Sequence, residues 1–365
     1  MVRVINYFKH NPVALLLVAI PLAILAEFTH WGEIWVFSFS AVGVIPLAGY
    51  IGRSTEELAH HTGPRLGGLL NATLGNAAEL IITIAAIREG LLDLVKASLT
   101  GSVLGNLLLV LGMAMVLGGL KNGWQTFDRR QASNNSILLV LTILILLVPS
   151  MFSHYIGGET SLKVEALSLG VAGVMIVLYI LGLIFSFKAL PGSGPITPEI
   201  ENNHGEGDHK PSWSLRTSLI VLGLSTVGVA YMSEILVGSV DPVVEKLGIS
   251  EFFIGVIFIP IIGNVAEHLV AVQVAIRNKM TLSVEIAVAS SLQIALFVAP
   301  VLVFVSLALG HPLTLIFNQL ELVSLIAGVL IAALVSADGE SNWLEGVELL
   351  AIYLILGLAF FLLPI

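Results

Sequence analysis

The sequence contains no cysteine and few charged side chains, since only 11% of its 365 residues are Asp, Glu, Lys or Arg. The absence of cysteine excludes disulfide scaffolds, thiol catalysis and Cys-ligated zinc or iron–sulfur sites. Hydrophobic residues, by contrast, make up 56% of the chain, and the mean hydropathy is +0.98. No soluble core requires so apolar a composition. We therefore predict an integral membrane protein. The net charge of -9 also leads us to predict no nucleic-acid partner.

Runs of about 20 apolar residues, the length at which a helix crosses a bilayer, occur at eleven places. We predict spans at 12–28, 33–52, 68–88, 97–119, 135–152, 164–187, 215–237, 251–276, 282–309, 315–336 and 343–364. Lys and Arg favour the cytoplasmic side of a membrane, and they divide 12 to 4 in favour of a cytoplasmic N-terminus. The sequence thus predicts an all-α fold with the N-terminus inside and the C-terminus outside.

One long polar segment, residues 191–213, divides the chain nearly in half. Its Pro, Gly and acidic residues (Glu199, Glu201, Glu206 and Asp208) are typical of a flexible linker, and sensing of a hard cation by these carboxylates is the alternative. We predict four parts: an N-terminal helix at 1–31, a first half at 32–190, this cytoplasmic linker at 191–213, and a second half at 214–365.

A short word occurs twice: GNAAEL begins at Gly75 and GNVAEH begins at Gly263, 188 residues later. The two words carry Glu79 and Glu267 into the third and eighth spans, which are five crossings apart and so run in opposite directions. Inverted repeats of this kind are a recurrent plan of secondary transporters, with the substrate site near the bilayer midplane. The words therefore indicate two inverted halves.

Two carboxylates in hydrocarbon are unlikely to be accidental, because each costs about 2.5 to 3.5 kcal/mol on insertion scales. Asn76 and Asn264 each precede one of them by three residues and share its helical face. Helix breakers stand beside both words, which predicts interrupted helices with free backbone carbonyls: Gly67, Gly68 and Gly75 in the first half, Pro260 and Gly263 in the second.

The span after each word also presents polar residues at helical spacing. Ser102 and Asn106 follow the first word, and Ser290 and Gln293 follow the second. The offset of 188 pairs Ser102 with Ser290, but it pairs Gln293 with Gly105, so the amides correspond only approximately. In the seventh span, Glu234 leaves two roles open: gating or proton relay, and capping or packing.

These words resemble a known family. GLLNATLGNAAELI from Gly68 and IPIIGNVAEHLVAV from Ile259 are similar to the two repeats of the cation/proton exchangers, the calcium/proton antiporters of the calcium/cation antiporter superfamily. The resemblance implies one peripheral N-terminal helix followed by two inverted five-helix repeats. It also implies that Glu79 and Glu267 bind the cation and protons alternately, and that the other polar residues line the path: Asn76, Asn264, Ser102, Asn106, Ser290 and Gln293.

The chemistry of the pair fits exchange of Ca²⁺ for H⁺. Ca²⁺ takes about six to eight oxygen ligands, which two carboxylates, amides, carbonyls and water can supply. Desolvation and like-charge repulsion both disfavour the ionised carboxylates. We therefore expect the site to hold protons without metal and to release them when the cation binds. Competition for one site makes the exchange obligatory.

Other functions were weighed against this prediction. A sodium/calcium exchanger or an antiporter of another divalent cation such as Mn²⁺ is the alternative, although Gly75, Asn76 and Ala78 stand where extra sodium sites would need Thr, Ser and Pro. The chain has no GxSxG or HExxH motif, so we predict no enzyme. We expect no cofactor and a bacterial or archaeal cytoplasmic membrane as the location. A homo-oligomer is left open.

Overall fold

The computed structural model describes residues 12–158, 161–188 and 212–363. The four acids of the predicted linker lie outside the described residues, and of the linker itself only Ser212 and Trp213 are described. The described chain is almost wholly helical, as the composition predicts.

Nine helices of the described chain are long and apolar enough to cross a membrane. Two shorter apolar helices coincide with the first and tenth predicted spans. In chain order the eleven are α1 (Val13–Phe28), α2 (Glu33–Thr62), α3 (Leu66–Arg88), α4 (Leu92–Asn122), α5 (Arg129–Ile156), α6 (Leu162–Phe185), α7 (Leu215–Leu247), α8 (Glu251–Ile276), α9 (Met280–Leu309), α10 (Gln319–Val335) and α11 (Trp343–Phe361).

Helix α2 is longer than the sequence predicts, since it continues through the polar residues after Ile51 to Thr62. The hydroxyls of Ser54 and Thr55 are satisfied inside the helix, because they donate to the carbonyls of Tyr50 at 2.6 Å and Ile51 at 2.9 Å. Polar residues in this stretch therefore need no loop. The helix ends at Gly63, whose φ of 83° suits glycine.

The predicted interruption is present in α3 and absent at the same place in α8. In α3, the helical pieces Pro64–Leu74 and Ala77–Arg88 are separated by Gly75 and Asn76. In α8, the helix Ile259–Ile276 runs on through Gly263, so the prediction of a break there was wrong. The preceding π-helical turn, Ile254–Phe258, places Pro260 near the start of the following α-helix, where its missing N–H is tolerated.

Two further π-helical segments lie beside the polar residues of α4 and α9: Gly105–Val110, which contains Asn106, and Ile294–Val298. The second begins directly after Gln293. Such segments occur frequently at functional sites, because the wider turn changes the direction of neighbouring side chains.

The connection between α9 and α10 is extended and buried, which explains why α10 begins at Gln319 and not near residue 315. Buried backbone amides need partners, and three serines provide them. Leu313, Leu315 and Phe317 donate their amides to the hydroxyls of Ser306 at 2.8 Å, Ser168 at 3.1 Å and Ser150 at 2.9 Å.

A two-stranded antiparallel ladder holds the end of α8. Strand β1 (Gln125–Thr126) pairs with β2 (Glu340–Ser341), with Gln125 opposite Ser341. The buried Gln125 side chain donates to the carbonyl of Ala275 and to Oδ1 of Asn278, both at 2.9 Å. The ladder therefore ties the helix that carries Glu267 to the connections before α5 and α11.

Two acidic residues at helix starts, Glu321 and Glu345, cap their helices. Glu321 and Glu345 each form a capping box with an asparagine three residues earlier, Asn318 and Asn342. Each carboxylate accepts from the backbone of its asparagine, which satisfies an otherwise unpaired amide at the helix terminus.

Candidate cation site

The two repeated words lie directly against each other. A Cβ added to Gly263 would lie 3.0 Å from Cγ of Glu79, and one added to Gly75 would lie 3.4 Å from Oε1 of Glu267. Each glycine thus faces the glutamate of the other word. Small residues at a helix crossing permit this close approach, so the interlocked words place both carboxylates in one region between α3 and α8.

Glu79 is sealed inside the protein, with only 3% of its surface exposed. Its Oε1 accepts from Nδ2 of Asn264 at 2.7 Å and from the hydroxyl of Ser102. Its Oε2 is buried and has no hydrogen-bond partner. An oxygen of this kind is available as a ligand for a cation or for a proton.

Glu267 has a simpler set of contacts. Its Oε2 accepts from the hydroxyl of Ser290 at 2.9 Å, which matches the contact of Ser102 with Glu79 across the repeat offset. Asn76, however, donates to Oε1 of Gln293 at 2.8 Å, whereas Asn264 donates to a glutamate. The two half-sites are therefore alike in their serines and different in their amides.

A cavity of about 660 Å³ reaches one carboxylate and not the other. Helices α2, α3, α8 and α9 enclose it, and Glu267, Ser290 and Gln293 line its inner part. Glu79 does not line it. The cavity extends to charged residues near the helix ends: Arg53, Glu56, Arg277 and Lys279. In this conformation Glu267 is thus accessible from one side, while Glu79 is occluded.

Two predicted residues stand apart from these contacts. Asn106 is buried in α4, and its Nδ2 has no hydrogen-bond partner. Glu234 does not line the cavity; it pairs with Arg88 at 2.7 Å, and each side chain is more than half exposed. This ion pair joins α7 to the end of α3 that is opposite the cavity mouth.

Sequence reasoning missed an anchor at the cavity mouth. Trp213 donates its amide to Oε2 of Glu57 at 3.2 Å, and its carbonyl lies 2.8 Å from Nε2 of His61. The guanidinium of Arg53, which lines the cavity, lies 4.7 Å from the centroid of the Trp213 ring. The last residue of the linker is therefore held near the end of α2. No sequence pattern indicated this long-range contact.

Another missed residue is Glu285, which is buried in α9 with 7% of its surface exposed. The argument that singled out Glu79 applies to it equally, because it too lies in an apolar run. His268, beside Glu267, is also buried, and its Nε2 has no hydrogen-bond partner.

Within the described residues, no group of three or more His, Cys, Asp or Glu side chains could hold a metal ion. A cation between Glu79 and Glu267 would take its remaining ligands from neutral oxygens and water, which hard cations accept.

Comparison with known proteins points to one group. The family described as "Sodium/calcium exchanger protein" matches residues 32–188 and 217–362. The Ca²⁺/H⁺ antiporter ChaA of Bacillus subtilis (strain 168) is 46% identical over 97% of this chain and all of its own length. A Ca²⁺/H⁺ antiporter of Aphanothece halophytica is 45% identical over 96% of both chains. The structure of native YfkE superimposes with a TM-score of 0.83 at 43% identity, covering 96% of this chain and 100% of that one.

Proposed function

The chain belongs to the sodium/calcium exchanger protein family, and from this premise we propose that it exchanges Ca²⁺ for H⁺ across a membrane. Relatives aligned over nearly their whole length are named Ca²⁺/H⁺ antiporters. They favour this exchange over the sodium-coupled alternative.

The observation that carries the proposal is the unequal exposure of the two interlocked carboxylates. Glu267 lines the cavity and Glu79 does not. Both lie within segments long and apolar enough to cross a membrane. Alternating access requires a central site that opens to one side of the membrane at a time. A pair of carboxylates in which Glu267 is open to a cavity and Glu79 is sealed is consistent with this requirement. We assign both residues as ligands of Ca²⁺ and H⁺.

Coupling follows from competition for these oxygens. Ca²⁺ binds between ionised carboxylates, and binding displaces their protons, because a metal ligand must be deprotonated. When the cation leaves, protons neutralise the buried pair. An uncompensated charge in a water-excluded site is costly, so a site carrying neither ion is disfavoured, and this makes the exchange obligatory.

Asn76, Asn264, Ser102, Asn106, Ser290 and Gln293 complete the path in this proposal. Three contacts support it: Asn264 and Ser102 with Glu79, and Ser290 with Glu267. For Glu234 we propose a gating role, because its pair with Arg88 joins α7 to α3 away from the cavity mouth.

We propose eleven crossings, with α1 peripheral to two inverted five-helix repeats. The two ranges matched by the family lie within the predicted halves 32–190 and 214–365, which supports this division. The cytoplasmic N-terminus remains a prediction from the Lys and Arg distribution. In that orientation the cavity, with Arg53, Arg277 and Lys279 near its mouth, opens to the cytoplasm, and the membrane is a bacterial or archaeal cytoplasmic one.

The test is a flux assay in sealed vesicles that contain the purified protein. An imposed pH gradient should drive uptake of radioactive Ca²⁺ in the absence of Na⁺, and vesicles without protein provide the background. Uptake that requires a Na⁺ gradient would assign the chain to sodium/calcium exchange. Uptake of Mn²⁺ without uptake of Ca²⁺ would change the substrate and preserve the mechanism.

A further inference from the structure

Gly263 marks the place where the second repeated word passes closest to Glu79. A Cβ at this position would lie 3.0 Å from Cγ of Glu79 and 3.9 Å from both its N and Cα atoms. Non-bonded carbon atoms prefer separations of about 3.5 to 4.0 Å. A methyl group at 263 would therefore require the Glu79 side chain to retreat, while the helix backbone could stay in place. Glycine at 263 sets how closely this carboxylate approaches α8.

The same helix carries Glu267 four residues later, on the face that Gly263 shares. A retreat of Glu79 from Gly263 therefore moves this side chain away from the helix that carries Glu267. The retreat needed is a few tenths of an ångström, because a contact at 3.0 Å is tight and one at 3.4 Å or more is ordinary. For comparison, Ca²⁺ binds oxygen at about 2.3 to 2.6 Å and Mg²⁺ at about 2.0 to 2.1 Å. One methyl group thus displaces the ligand by as much as divalent cations differ in size.

Gly75, the equivalent position in the first repeated word, does not control the position of Glu267 in the same way. A Cβ at Gly75 would meet Oε1 of Glu267 at an ordinary 3.4 Å, but it would lie 2.7 Å from the backbone carbonyl of Asn71. A substitution there disturbs the turn before it disturbs the glutamate. Gly263 is the glycine whose closest contact is a carboxylate-bearing side chain.

We propose that Gly263 is a specificity-determining residue, which sets the cation radius that the pair of Glu79 and Glu267 accepts. The inference rests on the proposed exchange of divalent cations for protons. Replacing Gly263 by Ala should move the preference from smaller cations towards larger ones, because Glu79 is held further from the helix that carries Glu267.

The experiment compares wild type with Gly263→Ala in vesicles in which a pH gradient drives Ca²⁺ uptake. Mn²⁺, which is smaller than Ca²⁺, and Sr²⁺, which is larger, are added as competitors. We expect the half-inhibitory concentration of Mn²⁺, divided by that of Sr²⁺, to rise about threefold or more in the variant. A threefold change corresponds to roughly 0.7 kcal/mol, since a tenfold change corresponds to about 1.4 kcal/mol. Gly173→Ala is the matched control, since a Cβ at 173 meets no atom within 4 Å, and the ratio should stay at the wild-type value.

An unchanged ratio in folded Gly263→Ala protein overturns the proposal, as does the same rise in Gly173→Ala. If detergent extraction inactivates the variant, the ratio is measured in native membrane vesicles that were never extracted. Failure of the variant to reach the membrane also counts against the proposal, because only one side chain should need to move. Absence of pH-driven Ca²⁺ uptake by the wild type would refute the antiport itself, whereas normal uptake with an unchanged ratio refutes only the role of Gly263.

Discussion

Neutralising each carboxylate should stop exchange in both cases but should weaken the fold in only one. Glu79→Gln and Glu267→Gln keep the side-chain volume and remove both the charge and the titration. If Ca²⁺ and H⁺ compete for this pair, either change abolishes the coupled cycle. The structures around the two residues differ, however, so their effects on stability should differ as well.

The cost of Glu79→Gln can be worked out from its contacts. Its Oε1 already accepts from Asn264 and Ser102, so the amide oxygen of glutamine would keep this position. The amide nitrogen then replaces Oε2, which is buried and has no hydrogen-bond partner. The amide carries two N–H donors where the protonated carboxyl has one O–H, and each additional buried donor without an acceptor costs about 1 to 3 kcal/mol. We expect Glu79→Gln to unfold at a temperature lower by several degrees.

Glu267→Gln should leave stability nearly unchanged. Glu267 lines the cavity, so water can accept from the new amide nitrogen while the amide oxygen retains the bond from Ser290. Water-mediated hydrogen bonds replace direct ones at little cost. Comparing the two variants therefore distinguishes an effect on transport from an effect on stability. Both variants should lose Ca²⁺ flux to the same extent, but Glu79→Gln should lose more stability than Glu267→Gln.

Both quantities are measured on the same preparations. Radioactive Ca²⁺ uptake driven by a pH gradient gives the flux, and the midpoint of thermal unfolding in detergent gives the stability. Near-normal flux in either variant would show that the repeated word is structural and would end the proposed mechanism. Equal destabilisation of the two variants would refute the assignment of Glu79 as sealed and Glu267 as open to the cavity.

Three further predictions follow from particular contacts. Ser102→Ala should raise the apparent Michaelis constant for Ca²⁺ by up to about tenfold, because Glu79 is sealed from water that could replace the hydroxyl. Ser290→Ala should raise this constant by less than about threefold, because water can replace the hydroxyl beside Glu267. Equal effects of the two variants in flux assays would contradict this prediction. Gln125→Ala should lower thermal stability by about 1 to 3 kcal/mol, because its two hydrogen bonds at the end of α8 are lost, and an unchanged unfolding midpoint would argue against the anchor. In intact cells, Tyr155→Cys should react with an impermeant thiol reagent and Thr62→Cys should not, and the reverse result would invert the proposed topology.

Much of this protein could be predicted from the sequence because the bilayer leaves few options. Backbone polar groups in hydrocarbon must be satisfied internally, so apolar runs of the right length become helices, and nine of them are long enough in the described chain. The importance of the two repeated words could also be predicted from the sequence, because two carboxylates at matching places in apolar runs are unlikely to be accidental. Capping by Glu321 and Glu345 follows from local spacing and is also predictable.

The tertiary structure decided what depends on partners distant in the chain. The sequence indicates a breaker at Gly263, yet the helix continues there, because a single glycine weakens a helix by only about 1 kcal/mol and its packing against Glu79 holds it in place. The glycines of the two words prove to lie against each other's glutamates, a contact between residues 184 or more positions apart that no local pattern encodes. Packing likewise determines that the cavity reaches Glu267 and not Glu79. The hydrophobicity of each residue can be read directly from the sequence. The exposure of a side chain and its hydrogen-bond partners, in contrast, depend on how helices distant in the chain pack together.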